Sequence, residues 1–412
     1  DKKPKPVDVP IFKPLEIPKK EEIKEEIKPP TLPPFIPKKE IEEEKQEKEP
    51  KLAINFFGVS LEIGQIKDKR AGFEDQIDNE KISNFWKEMC LTDYDDIISK
   101  ADSIREQIKL NDWGQYLLLK SMVDKIYVGT QNEKTLVLWF LLLKSGFNAK
   151  VGYQDNEIYL LLPFASSVFG IPYFEINKNI FYNVSVLDGL KILKHIYTYK
   201  EDYPNSINPI DLNIKESPHF GEKNVKKKLS FSYKKMEHSI PIDVNNNLVD
   251  FYSYYPNTDI PLYFNADVSQ ESFNSLEQGL KPLVSDKSET EAVNILLHFV
   301  QTALDYKVDQ EQFGREKTMF IEETLHYPFS DCEDRAVLFA YLVRNILGLD
   351  VVGLRYDGHI STAVKFNDVV DGDAIINSGE RYIICDPTFM YADAGKCMPE
   401  HKGKIPQVIF IK

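Results

Sequence analysis

One stretch near the C-terminal end decides the fold of this chain: Ser330-Asp331-Cys332-Glu333-Asp334-Arg335-Ala336-Val337-Leu338-Phe339. Ser330 and Glu333 match a capping box, which predicts that a helix begins here with Cys332 in its first turn. A cysteine at that place faces unpaired backbone N–H groups and the positive end of the helix dipole, and both favour the thiolate over the thiol. The same N–H groups can donate to an oxyanion that develops on a carbonyl oxygen. The polar neighbours of Cys332 therefore indicate a reactive thiol and not a core residue.

Two later segments supply the partners that a nucleophilic thiol needs. A strand after the helix is predicted to end at the turn Asp357-Gly358, and His359 opens the next strand. A third strand ends at Asp386, because Pro387 blocks its continuation. In adjacent antiparallel strands the start of one lies beside the end of the next, so His359 and Asp386 can be neighbours at the edge that the Cys332 helix meets. The sequence thus predicts a nucleophile, a base and an orienting carboxylate at one solvent-reachable edge.

The order and context of these residues resemble the transglutaminase-like superfamily of papain-type cysteine enzymes. The resemblance covers residues 285–412 and is strongest in three short motifs: Asp331-Cys332-Glu333-Asp334, Gly358-His359 and Cys385-Asp386-Pro387-Thr388. It implies a papain-like domain in which a helix packs on an antiparallel sheet. It also implies Cys332 as the nucleophile, His359 as the general base and acid, and Asp386 as the group that holds the imidazole. In the family's mechanism a thioester forms on the cysteine, and water or an amine acceptor then resolves it.

The second donor to the oxyanion stays open at the level of sequence. Tyr327 is a candidate by its chemistry and its position shortly before the cysteine, and Gln301 and Gln312 are candidates by chemistry alone. Cys385 is expected in the buried core, and Cys397 is expected to be a plain thiol. The chain has no CxxC pair and no Cys/His cluster with zinc spacing, so the sequence predicts neither a metal nor a cofactor.

An earlier part of the chain repeats the order of a helix followed by two strands, but it lacks the cysteine and histidine of the later part. Apolar helices at 136–143 and 338–347 both run into a glycine, Gly146 or Gly348, that suits a left-handed C-terminal cap, and two strands follow in each case. Residues 130–185 contain neither Cys nor His, and the segment leading to Ile158 offers no histidine. The pattern predicts an old duplication whose first copy keeps the fold as a scaffold or docking surface. A coincidence of common α+β patterning is the alternative.

Composition and patterning divide the chain into four regions and predict an α+β fold class. Residues 1–50 hold 11 of the 24 prolines, no glycine and repeated Lys/Glu clusters, which is typical of an extended linker. Residues 51–185 are predicted to form an α+β domain that contains the degenerate transglutaminase-like unit. A small β-rich domain follows over residues 186–267, and the transglutaminase-like catalytic domain occupies residues 268–412.

Charge and hydropathy restrict the partners. A net charge of −14 repels phosphate backbones, so nucleic acid is not an expected partner. The longest apolar run, residues 136–143, is far shorter than the ~20 residues of a membrane helix. A chain that starts at Asp1 with a Pro-rich stalk predicts an exported bacterial protein, periplasmic or tethered to the cell envelope through that linker, with a peptide or protein as its substrate.

Together these observations predict a cysteine-dependent amide hydrolase, a peptidase or amidase, with a Cys-His-Asp triad and a thioester intermediate. Transamidation, and thus protein cross-linking, uses the same intermediate and is the first alternative. The second alternative is a non-catalytic binding or assembly protein, because the inactive first copy, the β-rich insert and the linker suit an interaction protein. A triad within hydrogen-bond reach favours the enzyme, and a splayed one favours binding.

Overall fold

The chain folds into two compact units, of which one ends at Leu212 and the other begins at Asn213. The computed structural model describes residues 20–26, 52–64 and 77–412. Both units combine helices with sheets, so the chain is of the α+β class. Of the predicted linker over residues 1–50, only 20–26 are described, as a strand, and the rest of that prediction lies outside the described residues.

The first unit has four helices and nine strands among its described residues. The helices are α1 (Asn79–Met89), α2 (Tyr94–Gln107), α3 (Asp112–Ile126) and α4 (Gln131–Lys144). The strands are β1 (Lys20–Glu26), β2 (Leu52–Phe56), β3 (Val59–Ile63), β4 (Lys150–Gln154), β5 (Glu157–Leu162), β6 (Val168–Phe169), β7 (Tyr173–Ile176), β8 (Asn179–Asn183) and β9 (His195–Thr198).

Six of these strands form a curled sheet in the order β9-β4-β5-β8-β7-β1, and β1 also pairs with β9. Helices α1, α2 and α3 occupy most of residues 79–126. Trp86 packs against Trp139 and Phe140, with ring centroids 4.8 and 4.7 Å apart, and so joins α1 to the apolar helix α4. Residues 52–63 form the hairpin β2–β3. Phe57 and Gly58 both have positive φ (45° and 80°), which is the geometry of a two-residue hairpin turn.

The second unit has seven helices and ten strands. The helices are α5 (Asn246–Ser253), α6 (Ile260–Phe264), α7 (Gln270–Val284), α8 (Glu289–Ala303), α9 (Asp309–Gln312), α10 (Ile321–His326) and α11 (Cys332–Leu342). The strands are β10 (Asn224–Tyr233), β11 (Met236–Asn245), β12 (Asn257–Thr258), β13 (Asp305–Tyr306), β14 (Phe329–Ser330), β15 (Val351–Tyr356), β16 (His359–Val364), β17 (Ala374–Asn377), β18 (Glu380–Cys385) and β19 (Gln407–Phe410).

A long hairpin, β10–β11, is the centre of the region predicted as a separate β-rich domain. It belongs to the second unit, because β10 packs against α8 and β11 against α7. Phe231 of the hairpin contacts the ring of Phe299 in α8, with centroids 5.4 Å apart. An isolated two-stranded hairpin is marginally stable in water, which explains why it is packed against helices. The structure thus divides the chain after residue 212 and not at residues 186 and 267.

An antiparallel five-stranded sheet carries the candidate active site, with strand order β17-β18-β16-β15-β19. Helix α11 packs against β16 and β15. The predicted glycine caps are confirmed, because Gly146 follows α4 with a φ of 90° and Gly348 follows the α11 segment with a φ of 69°. No helix in the described part of the chain is both long and apolar enough to cross a membrane.

Candidate active site

Cys332 is the first residue of α11, as the prediction of a cysteine in the first helical turn required. The residues that cap the helix differ from the predicted pair Ser330 and Glu333. Asp331 is the N-cap, and the Asp334 carboxylate accepts a hydrogen bond from the Asp331 backbone N–H (3.2 Å). The predicted capping box is therefore wrong by one residue, because Ser330 still belongs to the short strand β14.

His359 and Asp386 lie together, which confirms the predicted neighbourhood. Nε2 of His359 and Oδ2 of Asp386 are 2.8 Å apart, and the two residues are 1% and 2% exposed. Oδ1 of Asp386 accepts the backbone N–H of Thr388 (2.9 Å), which fixes the orientation of the carboxylate. Burial by itself raises the pKa of Asp386, but its pairing with His359 outweighs burial and holds the pKa below its ordinary value. The carboxylate is therefore ionised and orients the imidazole.

The sulfur of Cys332 lies at the start of the strand that carries His359. The backbone N–H of Ile360, the next residue along β16, donates a hydrogen bond to this sulfur. Nδ1 of His359 is buried and has no hydrogen-bond partner among the described residues. Since Asp386 engages Nε2, Nδ1 is the ring nitrogen that stays available, and it makes no hydrogen bond to the Cys332 sulfur.

The protonation state of Cys332 differs from the predicted one. Burial raises the pKa of the Cys332 thiol well above its ordinary value, and the Glu333 and Asp331 carboxyl groups add to the shift. The thiol also donates to Oε2 of Glu333 (3.1 Å), which favours its protonated form. Cys332 is only 3% exposed. The predictions of a resting thiolate and of a solvent-reachable edge are therefore wrong, because the loss of water and two acidic neighbours outweigh the helix dipole.

A buried group of carboxyls surrounds the helix start, and sequence reasoning missed it as a group. Asp309, Asp331 and Glu333 each place an oxygen within 4.8 Å of the other two. Burial raises the pKa of Asp309 to about 9, with further contributions from Asp334 and Glu333. Burial likewise raises the pKa of Asp334 to about 7. Carboxylate oxygens are ligands of hard cations, so these are the described side chains that could hold a metal ion.

Tyr306, and not the predicted Tyr327, is the tyrosine beside the thiol. Tyr327 ends α10, and its ring contacts are with Phe313 and His326, at centroid distances of 5.1 and 5.2 Å. Tyr306 pairs with the residue before Asp331 through the parallel strands β13 and β14. Burial raises the pKa of Tyr306, and the nearby Cys332 raises it further. Strand pairing between distant segments brings Tyr306 here, so no local motif marked it.

The two glutamines proposed as oxyanion donors have other surroundings. Nε2 of Gln301 donates to the backbone carbonyls of Asp386 (3.1 Å) and Ala392 (3.0 Å), and its Oε1 accepts the Tyr391 N–H (3.0 Å). Gln301 thereby holds the loop that carries the catalytic carboxylate. Gln312 is the last residue of α9, and its side-chain amide has no hydrogen-bond partner within the described residues.

A second histidine covers the catalytic one. The ring of His401 is stacked on that of His359, with centroids 5.0 Å apart and planes inclined by 4°. The same ring is stacked on Tyr356 at 4.7 Å. Burial lowers the pKa of His401, and the neighbouring His359 lowers it further, so a neutral ring covers the imidazole. His401 lies far from His359 in the sequence, and no sequence motif predicted that the two rings would be stacked.

Cys385 and Cys397 are the two other cysteines of the second unit. Cys385 is fully buried, which confirms its predicted place in the core, and burial raises its pKa. Cys397 is 9% exposed, and burial raises its pKa to about 11.

The first copy repeats the backbone of the site with different side chains. Strands β4 and β5 pair so that Tyr153 is opposite Ile158, and β15 and β16 pair so that Tyr356 is opposite His359. Ile158 thus has the register position of the catalytic histidine. The helix before it, α4, is capped by Thr130 and has no cysteine at its start. Its backbone order matches that of the site, but its residues cannot perform thiol chemistry.

Comparison of the chain with protein-family models, curated proteins and solved structures found no match. The functional argument therefore depends on the geometry and chemistry of the site itself.

Proposed function

We propose that the second unit is a transglutaminase-like, papain-type cysteine amide hydrolase, a peptidase or amidase, with Cys332, His359 and Asp386 as its triad. The observation that carries the proposal is the 2.8 Å hydrogen bond between His359 and Asp386 beside a sulfur at a helix start. Asp386 occupies Nε2, so Nδ1 is the nitrogen with which His359 would take the thiol proton as the sulfur attacks. A helix packed on an antiparallel sheet suits the papain-like architecture.

The reaction begins with proton transfer, because the thiol is protonated at rest. Nδ1 of His359 takes the thiol proton while the sulfur attacks the amide carbonyl carbon, and Asp386 stabilises the imidazolium. The C–N bond breaks as the imidazolium gives its proton to the leaving amine, and an acyl thioester remains on Cys332. His359 then takes a proton from water, the resulting hydroxide attacks the thioester, and the carboxylic acid leaves as the sulfur regains its proton.

Two groups are suited to stabilise the oxyanion. The backbone N–H of Cys332 is among the helix-start N–H groups that lack an intrahelical partner, so it is one donor. The Tyr306 hydroxyl is the second candidate, because the pairing of Tyr306 with Ser330 brings it to the start of the helix and a tyrosine hydroxyl is protonated at neutral pH. In this proposal Tyr306 takes the role that the sequence offered to Tyr327.

A non-catalytic binding or assembly module is the second candidate, and burial favours it. A thiol that is 3% exposed and protonated must be uncovered before it reacts.

Transamidation shares every step with hydrolysis up to the thioester and differs only in the acceptor, which is an amine and not water. A peptide or protein substrate is part of the proposal. Export and tethering to the cell envelope stay predictions, because most of residues 1–50 lie outside the described part of the chain.

Digestion of a peptide library, with and without an added primary amine, tests the proposal by mass spectrometry. We expect the wild-type chain to cleave amide bonds and Cys332→Ala and His359→Ala to cleave none. The matched control is Cys90→Ala, which removes a free thiol from the first unit and should keep activity. Products that gain the amine would favour the transamidase. An untouched library in the presence of folded wild-type chain would contradict the hydrolase and support the binding module.

A further inference from the structure

We propose that a cavity beside the catalytic pair, bounded by β17, β18, β19 and residues 397–406, is the subsite for a large apolar side chain of an extended peptide. The proposal rests on the proposed function, since the peptide is the substrate of Cys332. It adds the substrate class and the place where that substrate is selected.

The size and lining of the cavity fit an apolar side chain. Its volume is about 570 Å³, which is within the range of small-molecule sites, roughly 300–1,000 Å³. Ile375, Ile384 and Val408 line it, and they belong to the apolar cluster on one face of the five-stranded sheet. An apolar floor binds a leucine or phenylalanine side chain well, and it would leave a buried polar group without a partner.

The charged groups of the cavity also disfavour a basic ligand. Lys402 and Asp373 line it and pair with each other at 3.0 Å, which satisfies both charges. Lys404 also lines it and adds a positive charge. A lysine or arginine side chain in the cavity would therefore be repelled and not paired.

The cavity adjoins the catalytic pair through one ring. His401 lines the cavity, and the same imidazole is stacked on His359 at 5.0 Å. Tyr356, which also lines the cavity, is the cross-strand partner of His359. A peptide bound at the His359–Asp386 pair therefore has this cavity next to it, across the His401 ring.

The backbone around the cavity suits an extended peptide. β17 and β19 are the two edge strands of the five-stranded sheet, and residues of both line the cavity. An edge strand can hydrogen-bond an added strand while alternate side chains enter a pocket. Ile376 and Ile405 also line the cavity and are 69% and 96% exposed. Exposed apolar side chains grouped at a cavity mouth are typical of a binding surface.

Peptide binding to the Cys332→Ala chain tests the subsite without catalysis. The probes are fluorescein-labelled Gly/Ser peptides that carry one Phe, moved through each position in turn, and the parent peptide without Phe. Fluorescence anisotropy should show at least about 10-fold tighter binding for one register of Phe, from burial of one aromatic side chain. Replacing that Phe by Lys should abolish the gain.

Two variants locate the binding gain in the cavity. Ile375→Trp fills the cavity, and Ile405→Asp places a charge at its mouth, so both should remove the preference for Phe. Ile405 is 96% exposed, so Ile405→Asp decides the test if Ile375→Trp fails to fold. The matched control is Val369→Asp, which alters a residue that is 98% exposed and does not line the cavity, and should keep the preference.

The outcomes separate the two proposals. Equal binding of all probes, or a Phe preference that survives Ile405→Asp, would overturn the subsite, even if the wild-type chain hydrolyses peptides. A Phe preference that Ile405→Asp removes supports the subsite. If the wild-type chain then fails to hydrolyse the same peptides, the hydrolase is contradicted and the cavity stands as a peptide-binding site.

Discussion

Replacing Glu333 by glutamine should increase the reactivity of Cys332. Oε2 of Glu333 accepts the thiol hydrogen at 3.1 Å, and both residues are buried. At that distance the repulsion between a thiolate and a carboxylate is about 1 kcal/mol with a dielectric constant near 80 and about 5 kcal/mol with one near 20. Removing the charge should therefore lower the pKa of Cys332, and each 1.4 kcal/mol or so of relieved repulsion corresponds to an about tenfold larger thiolate fraction.

The rate of alkylation by iodoacetamide measures this change. Because only the thiolate reacts, the rate at Cys332 near neutral pH should rise by at least about 10-fold in Glu333→Gln, and its pH profile should move to lower pH. Peptide mass spectrometry assigns the label, with Cys397 in the same sample as an internal reference. Glu380→Gln is the matched control, because this residue is exposed and pairs with Lys365. An unchanged rate at Cys332 in a folded Glu333→Gln chain would refute the electrostatic explanation of the raised pKa.

Two further substitutions test the buried ion pairs of the second unit. Asp386→Ala should lower kcat/KM by about 10⁴-fold, because it removes the group that orients the imidazole and stabilises the imidazolium, and a loss below about 10-fold would remove Asp386 from the triad. Lys317→Ala should lower the free energy of unfolding in urea by about 3–5 kcal/mol, because it leaves the fully buried Glu323, 2.7 Å from the lysine, without its partner. The exposed Lys281→Ala should change it by less than about 1 kcal/mol, and equal effects of the two lysine substitutions would contradict the buried-pair argument.

The positions of the three catalytic candidates could be predicted because each marks the boundary of an element. Cys332 follows a capping residue, His359 follows a tight turn, and Asp386 precedes a proline. Antiparallel pairing then brings the last two together: Thr362 of β16 is opposite Cys385 of β18, so the start of one strand lies beside the end of the other. Turns, caps and strand ends depend on a few adjacent residues, and sequence patterns report them well.

The helix cap and the β-rich insert show where this reasoning fails. Both Ser330 and Asp331 can cap a helix, and the pairing of β14 with β13 decides that Asp331 does so. The sequence predicted a small β-rich domain in the region of β10 and β11, but it did not reveal that α7 and α8 pack against this hairpin. A local alternation of apolar and polar residues predicts that one face of a strand is buried, but it does not predict which element covers that face.

The amino-acid sequence by itself determined the α+β class, the helix–strand–strand order in both units, and the places of Cys332, His359 and Asp386 at the ends of their elements. Only the tertiary structure decided that the sulfur is enclosed and protonated, that Tyr306 stands beside it and that His401 covers the imidazole. The physical reason is the range of the forces involved. Hydrogen bonds that start or stop an element join near neighbours in the chain, whereas desolvation and charge repulsion at Cys332 come from every segment that folding packs around it.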